Sequence, residues 1–112
     1  MAVFYIDSVA QDTLTMVKGN IYRFDQNNGS NSAAPLSLST TDDGENDGGT
    51  AYTEGVSYWI NNLEVNRTTY LSGFSNASSR FIQIEVAAGA PATLYYYAVG
   101  TPDMGGAITI SS

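Results

Sequence analysis

The 112-residue sequence contains no cysteine and no histidine. The absence of cysteine excludes disulfides and thiolate metal sites, and the absence of histidine removes the commonest metal ligand and the commonest general base. Basic residues are also scarce, with 4 Lys and Arg against 11 Asp and Glu and a formal net charge of −7. This balance disfavours binding to nucleic acid or to an anionic membrane surface, because both interactions require positive charge.

Long apolar runs are missing as well. No segment approaches the run of about 18 apolar residues that a membrane span needs, and the N-terminal stretch MAVFYIDSVAQD lacks the basic and apolar regions of a signal peptide. Hydrophobic residues still make up 43% of the chain, which is enough for a core. We therefore expect one acidic domain over residues 1–112, with neither membrane nor nucleic acid as a partner.

Short segments rich in Val, Ile, Tyr, Phe and Thr alternate with turn residues, a pattern typical of β-strands. In RFIQIEV, Phe81, Gln83 and Glu85 should share the face opposite to the apolar Ile and Val residues. No window shows a helical period, so we expect little or no helix and an all-β, Greek-key sandwich or barrel. The predicted strands are 3–7, 13–17, 21–25, 36–40, 56–60, 68–71, 80–86, 94–99 and 107–110.

The loop TDDGENDGG concentrates the acids Asp42, Asp43, Glu45 and Asp47. Several carboxylates in one loop could bind Ca²⁺, but their spacing does not match an EF-hand. The favoured interpretation is a mobile, solvated turn in which carboxyl pKa values stay near their usual range. With no histidine to activate Ser or Thr and no buried carboxylate pair, the chain is not expected to be an enzyme.

The segment SYWINNLEVNRTTYLSGF is rich in aromatic residues and holds the only Trp. Most of these side chains could fill the core, but adjacent strand residues cannot all point inward. At least one bulky side chain must face outward, and Trp and Tyr dominate the binding energy of protein contacts. The predicted contact residues are Tyr58, Trp59, Ile60, Leu71 and Phe74.

The stretch LYYYAVGTPDMGG, residues 94–106, combines a triple-Tyr strand with a Met-bearing loop. Strand geometry places Leu94 with Tyr96 on one face and Tyr95 with Tyr97 on the other. One of these faces should pack in the core and the other should lie nearer the surface. Gly105 and Gly106 are predicted to serve the turn into the last strand.

Three segments resemble a known family when they are taken in order: TLTMVKGNIYRFDQNNGSNSAAPLSLSTT, then GGTAYTEGV, then IEVAAGAPATLYYYAVGTPDMGG. Together they are similar to a cupredoxin-like domain of virion proteins in tailed phages, notably marine and cyanobacterial phages. The segment from Ser57 to Ser79 departs from that family, because it is longer and more aromatic here. The resemblance implies a cupredoxin-like Greek-key sandwich.

The family's His, Cys, His and Met resemble the ligand set of a copper cupredoxin. The corresponding positions in this chain hold Ala34, Ala98, Thr101 and Met104. A blue-copper centre needs two imidazoles and a thiolate, with Met as a weak axial ligand. The resemblance therefore implies the fold and the virion setting, and the residues present predict neither a metal nor another cofactor.

The function that this resemblance implies is structural. We expect a bacteriophage capsid cement or decoration protein, made in the host cytoplasm and placed on the capsid exterior. Its expected partners are the major capsid protein and other copies of itself. Two alternatives stay open: a tail, baseplate or fibre component, and a host-surface module that binds carbohydrate through Trp59 or the tyrosines.

Overall fold

The computed structural model of the chain describes residues 5–6, 9–11, 13–26 and 34–111. The predicted strand over residues 3–7 is described only at Tyr5–Ile6, which pairs antiparallel with Val9–Ala10. The rest of that prediction lies outside the described residues.

Strands dominate the described part of the chain, which also contains one short α-helix and a 3-10 turn at Gly44–Asp47. In chain order these elements are β1 (Tyr5–Ile6), β2 (Val9–Ala10), β3 (Leu14–Val17), β4 (Ile21–Asp25), β5 (Leu36–Ser39), β6 (Val56–Ile60), β7 (Leu63–Val65), α1 (Arg67–Gly73), β8 (Arg80–Glu85), β9 (Thr93–Ala98) and β10 (Thr101–Ser111).

The longer strands form two four-stranded sheets. Sheet 1 has the strand order β3-β10-β9-β5, and sheet 2 has the order β4-β8-β6-β7. In sheet 1, β3 and β10 run parallel with Leu14 opposite Ile108, while the other pairings in both sheets are antiparallel. Sheet 2 draws its strands from residues 21–85, whereas sheet 1 needs strands from residues 14–111.

The inner faces of both sheets contribute to one hydrophobic core. Leu94 and Ile108 from sheet 1 and Ile84 from sheet 2 are fully buried in it. The rings of Phe24 and Tyr96 meet across the sheets with their centroids 6.1 Å apart. Two sheets packed through their apolar faces are the arrangement of a β-sandwich, so the predicted all-β class is confirmed at this level.

Helix α1 occupies the segment predicted as a strand over Thr68–Leu71, so that prediction is wrong. The helix begins after Asn66, whose side-chain oxygen accepts a hydrogen bond from the Thr69 amide at 2.8 Å, a role for which Asn is preferred. The two β-branched threonines favour strand in isolation. Tyr70 inserts its ring in the core with its hydroxyl 2.9 Å from the Leu36 carbonyl oxygen, and this packing overrides the local preference.

A buried polar network connects helix α1 to both sheets. Arg80 is 3% exposed and donates from Nε to the Gln26 carbonyl at 2.7 Å and from Nη1 to the Phe74 carbonyl at 2.8 Å. The Gln26 side chain in turn donates to the Ala34 carbonyl at 2.9 Å and lies 3.0 Å from the Tyr70 hydroxyl. These bonds offset the cost of removing a guanidinium from water.

Strand β10 is longer than the sequence predicts and contains Gly105 and Gly106. The predicted turn at these glycines is therefore wrong. The pairing with β9 shifts register between Thr101 and Gly106, which marks a β-bulge. A Cβ atom on Gly105 would overlap the Tyr96 carbonyl oxygen, so the close approach of the two backbones explains why glycine occupies this position.

Candidate interaction surface

The outer face of sheet 2 carries two stacked aromatic rings beside an arginine. Trp59 on β6 pairs with Phe81 on β8, and their rings stack with centroids 5.3 Å apart and planes 14° apart. The guanidinium carbon of Arg23 on β4 lies 3.6 Å from the centre of the Phe81 ring. The indole nitrogen of Trp59 donates to the Ser57 hydroxyl at 2.9 Å. We call Arg23, Trp59 and Phe81 the aromatic cluster.

Strand alternation explains why the aromatic cluster lies outside the core. The outward positions of β8 are Phe81, Gln83 and Glu85, as the sequence predicts. Gln83 is half-buried and Glu85 is exposed, but Phe81 is only 6% exposed because Trp59 and Arg23 cover it. An aromatic side chain at an outward strand position is thus shielded by its cross-strand neighbours.

Charged and apolar side chains surround the aromatic cluster. Asp25 lies 3.9 Å from the Arg23 guanidinium on one side, and Glu64 pairs with Trp59 on the other. Ile21, on the same face of β4 as Arg23, is 60% exposed. The face therefore combines an aromatic centre with an apolar extension and acidic edges.

Only part of the predicted set of contact residues lies at the surface. Tyr58, Ile60 and Phe74 are buried in the core, which corrects the prediction that they are available for contact. Tyr58 and Ile60 point inward because Trp59, which lies between them on β6, points outward. Leu71 is half-buried and packs against the core. Trp59 is therefore the predicted contact residue that faces outward on the sheet.

The acidic loop folds onto the outer face of sheet 1. Gly44 lies so close to Tyr97 that a Cβ atom would overlap the ring. Asn46 donates from Nδ2 to the Ala98 carbonyl at 2.8 Å and to the Thr101 carbonyl at 3.2 Å. Tyr97 points away from the core but is fully buried. The loop thus covers the end of β9 through Gly44 and Asn46, while Asp42, Glu45 and Asp47 stay exposed to solvent, as the sequence predicts.

Glu45 secures this loop through an ion pair. Its carboxylate accepts hydrogen bonds from Arg67 Nη2 at 2.5 Å and from the Tyr97 hydroxyl at 2.8 Å. The hydrogen bond from Arg67 holds the pKa of Glu45 below its usual value, and the Tyr97 hydroxyl adds to this effect while burial opposes it. Burial raises the pKa of Tyr97. Because the Glu45 side chain is 39% exposed, solvent screening keeps the pair weak.

The acids of the loop do not gather around one point. Across the part of the chain that the structure describes, no group of three or more His, Cys, Asp or Glu side chains lies close enough to hold a metal ion. Glu45 is directed to Arg67, and Asp43 lies 3.3 Å from the Asn46 amide. The arrangement therefore gives no support to the calcium interpretation.

The four positions that correspond to copper ligands lie around the end of β9 and the start of β10. Ala98 pairs with Thr101, and it also pairs with Leu36, two residues after Ala34. Ala34, Ala98 and Met104 are buried in the hydrophobic core. The side chains at these four positions are two methyl groups, one hydroxyl and one thioether. A blue-copper site needs imidazole and thiolate donors, and none is present here. These residues do not fit a copper ion, and no redox step follows from them.

Sequence reasoning missed three residues of these two surfaces: Phe81 and Arg23 in the aromatic cluster, and Arg67 in the ion pair. The position of Phe81 among polar residues in RFIQIEV was a usable signal, because it predicts an outward-facing aromatic ring. Arg67 gave no local signal, since its partner Glu45 lies 22 residues away in the chain.

The described chain contains no helix that is long and apolar enough to cross a membrane. Helix α1 has only 7 residues. Comparisons with family models, curated proteins and solved structures find no match for this chain.

Proposed function

We propose that this chain is a structural protein of a tailed-phage virion, and specifically a capsid cement protein with a Greek-key, cupredoxin-type sandwich. The resemblance of the segments between Thr13 and Gly106 supports the virion setting, and the two packed sheets support the fold. The observation that carries the contact role is the aromatic cluster on the outer face of sheet 2.

The composition of this face fits a protein contact. Trp and Arg are the residue types that contribute most binding energy at protein interfaces, and Trp59 and Arg23 lie together here. Ile21 adds exposed apolar surface, while Asp25 and Glu64 lie at the edges. A partner that covers this face would bury apolar area at the centre and leave charges at a solvated rim.

A capsid shell suits such a modest contact. The shell repeats the same docking site many times by symmetry, and contacts that are weak singly become stable when each copy touches several neighbours. The proposed partner is the major capsid protein on the outside of the shell, with additional contacts between neighbouring copies of this chain.

Adding the protein back to capsids that lack it tests this proposal. We expect the purified chain to bind such capsids, to raise their thermal stability, and to do so in many copies per particle. Trp59→Ser should weaken binding at least tenfold, because it removes the largest side chain of the contact face. No binding of the wild-type chain to the capsids contradicts the proposal.

The control is Tyr95→Ser, which removes a half-buried outward aromatic ring from the opposite sheet. This variant should bind capsids as the wild type does. Equal binding by the wild type and Trp59→Ser shows that the contact lies elsewhere on the chain and contradicts the role of the aromatic cluster.

A tail, baseplate or fibre component is the second candidate, and the same outward-facing aromatic cluster favours it as a contact surface. The number of copies per particle separates the two roles. Hundreds of copies support a capsid position, and a few to tens of copies support a tail position.

A further inference from the structure

A cavity of about 310 Å³ opens on the outer face of sheet 1, on the side of the sandwich opposite to the aromatic cluster. Gln11 and Thr13 line it ahead of β3, and the acidic loop contributes Asp42 and Asp43. Tyr95 and residues 105–107 complete its lining from the adjacent strands β9 and β10. We call this cavity the sheet 1 cleft. Its volume lies at the lower end of the range for small-molecule sites.

Two consecutive glycines belong to the lining of the sheet 1 cleft. Gly105 and Gly106 lie on β10 and contribute backbone to it. Gly105 cannot carry a side chain, because a Cβ atom would overlap the Tyr96 carbonyl oxygen. The same close approach sets the path of β10 at the bulge, and the backbone of both glycines forms part of the lining of the cleft.

Both sides of the sheet 1 cleft are fixed to the sheet. Gln11 donates from Nε2 to the Gly105 carbonyl at 3.0 Å. On the other side, Asn46 fixes the acidic loop through bonds to two carbonyl oxygens of β9 and β10, and Glu45 fixes it through Arg67. A site whose walls are held in place before binding loses less conformational entropy when a ligand enters.

The lining determines which ligands fit. Asp42 and Asp43 supply carboxylate acceptors, while Gln11, Thr13 and Tyr95 supply amide and hydroxyl groups that both donate and accept. The described lining contains no Lys or Arg. Two carboxylates repel phosphates, sialic acids and uronic acids, so an anionic ligand is excluded.

A metal ion is also a poor match for the sheet 1 cleft. Among the described residues its lining includes two carboxylates, and no group of three or more metal-ligating side chains exists among them. A neutral sugar fits better, because its hydroxyls pair with carboxylate and amide groups and its C–H faces pack on an aromatic ring such as Tyr95. We propose that the sheet 1 cleft binds neutral saccharides. This function is separate from capsid binding and uses the opposite sheet.

A glycan array tests this proposal with the intact protein. The array should carry neutral hexose and N-acetylhexosamine oligosaccharides together with sialylated and uronic-acid glycans. We expect binding to neutral glycans only. Tyr95→Ser and Asp42→Asn should each lower the affinity at least tenfold, and Ala107→Arg should abolish binding by filling the cleft. Asp42 is exposed, so Asp42→Asn tests the site independently of the half-buried Tyr95.

Trp59→Ser is the matched control and should bind glycans as the wild type does. The proposal is overturned if no neutral glycan binds. It is also overturned if Trp59→Ser loses glycan binding while Tyr95→Ser keeps it. A third contrary result is binding of calcium chloride that depends on Asp42 together with no binding of glycans. Capsid add-back of Asp42→Asn should be unchanged, so failure of the saccharide site and failure of the cement role are distinguishable.

Discussion

The outer faces of the two sheets differ in what covers their aromatic side chains. On sheet 1, the chain returns over its own surface, and Gly44 and Glu45 bury Tyr97 completely. On sheet 2, neighbouring side chains on the strands cover the rings instead. Trp59 stacks on Phe81 and shields it from solvent. An outward-facing ring is thus covered by a loop at Tyr97 and by its neighbours on the strands at Phe81. We call the surface around Tyr97 the closed face and the surface around Trp59 the open face.

A single added methyl group should lower the free energy of unfolding more on the closed face than the proposed substitutions do on the open face. Gly44→Ala places a Cβ atom inside the Tyr97 ring at a φ of +48°, so we expect a loss of about 2–3 kcal/mol in the free energy of unfolding. Urea denaturation measures this loss. Gly48→Ala is the control, since Gly48 has a φ of +83° but nothing within 4 Å. It should cost about 1 kcal/mol from backbone strain alone, and equal losses would contradict the packing of the loop on Tyr97.

Removing the indole from the open face should cost less. Trp59→Ser loses the stacking on Phe81 and part of its buried area, so we expect a loss of about 1–2 kcal/mol. Thermal unfolding measures the change. Leu63→Ser, at a side chain that is 69% exposed, should stay within about 0.5 kcal/mol of the wild type. A Trp59→Ser variant as stable as Leu63→Ser would show that the two rings do not support each other.

The ion pair on the closed face should make stability depend on pH. The pKa of Glu45 in the folded chain lies below its usual value of 4.5, so its stabilisation is fully present above about pH 4.5 and disappears as pH falls through the lowered pKa. Glu45→Gln should therefore cost about 0.5–1 kcal/mol at pH 7 and almost nothing in strong acid.

Unfolding curves of the wild type and Glu45→Gln between pH 7 and pH 2 would show whether this difference closes. Asp47→Asn removes the same charge from the same loop without touching Arg67, so it controls for net charge. A constant difference between the wild type and Glu45→Gln across this range would contradict the role of the ion pair.

An effect as small as that of Glu45→Gln is expected at the arginine of the open face. Arg23→Gln removes the cation above the Phe81 ring, and an exposed cation–π contact contributes about 0.5–1 kcal/mol. A double-mutant cycle with Phe81→Leu isolates this contribution from other effects of the substitution. A coupling free energy of zero would show that Arg23 only lies near the ring.

Several strand positions were readable from the sequence, because short segments of β-forming residues lie between turn residues. The bounds of β4 and β6 are those predicted, and β8 differs by a single residue at its end. Helix α1 was not readable, because its threonines favour strand and its stability comes from Tyr70 in the core. The cap at Asn66 is a recognisable signal, but Asn is equally common in turns.

The candidate sites were readable only in part, because each is assembled from distant segments. Trp59 was one of five predicted contact residues, and Phe81 was placed on the strand face opposite to the apolar Ile and Val residues. The covering of Tyr97 by Gly44 could not be predicted, because the loop that contains Gly44 lies about 50 residues earlier in the chain. The Tyr97 hydroxyl and its partner Glu45 are likewise distant in sequence. The sheet 1 cleft joins segments near residues 11, 42, 95 and 105, and no local pattern connects them.

The parallel pairing of β3 with β10 has a consequence for how the chain folds during synthesis. All four strands of sheet 2 have left the ribosome once residue 85 emerges, whereas sheet 1 cannot pair Leu14 with Ile108 until the last strand is made. Contacts of such large sequence separation form slowly. Until β10 is made, the apolar inner face of sheet 2 is not fully covered by sheet 1, so we expect the nascent chain to be most prone to aggregation just before β10 is complete.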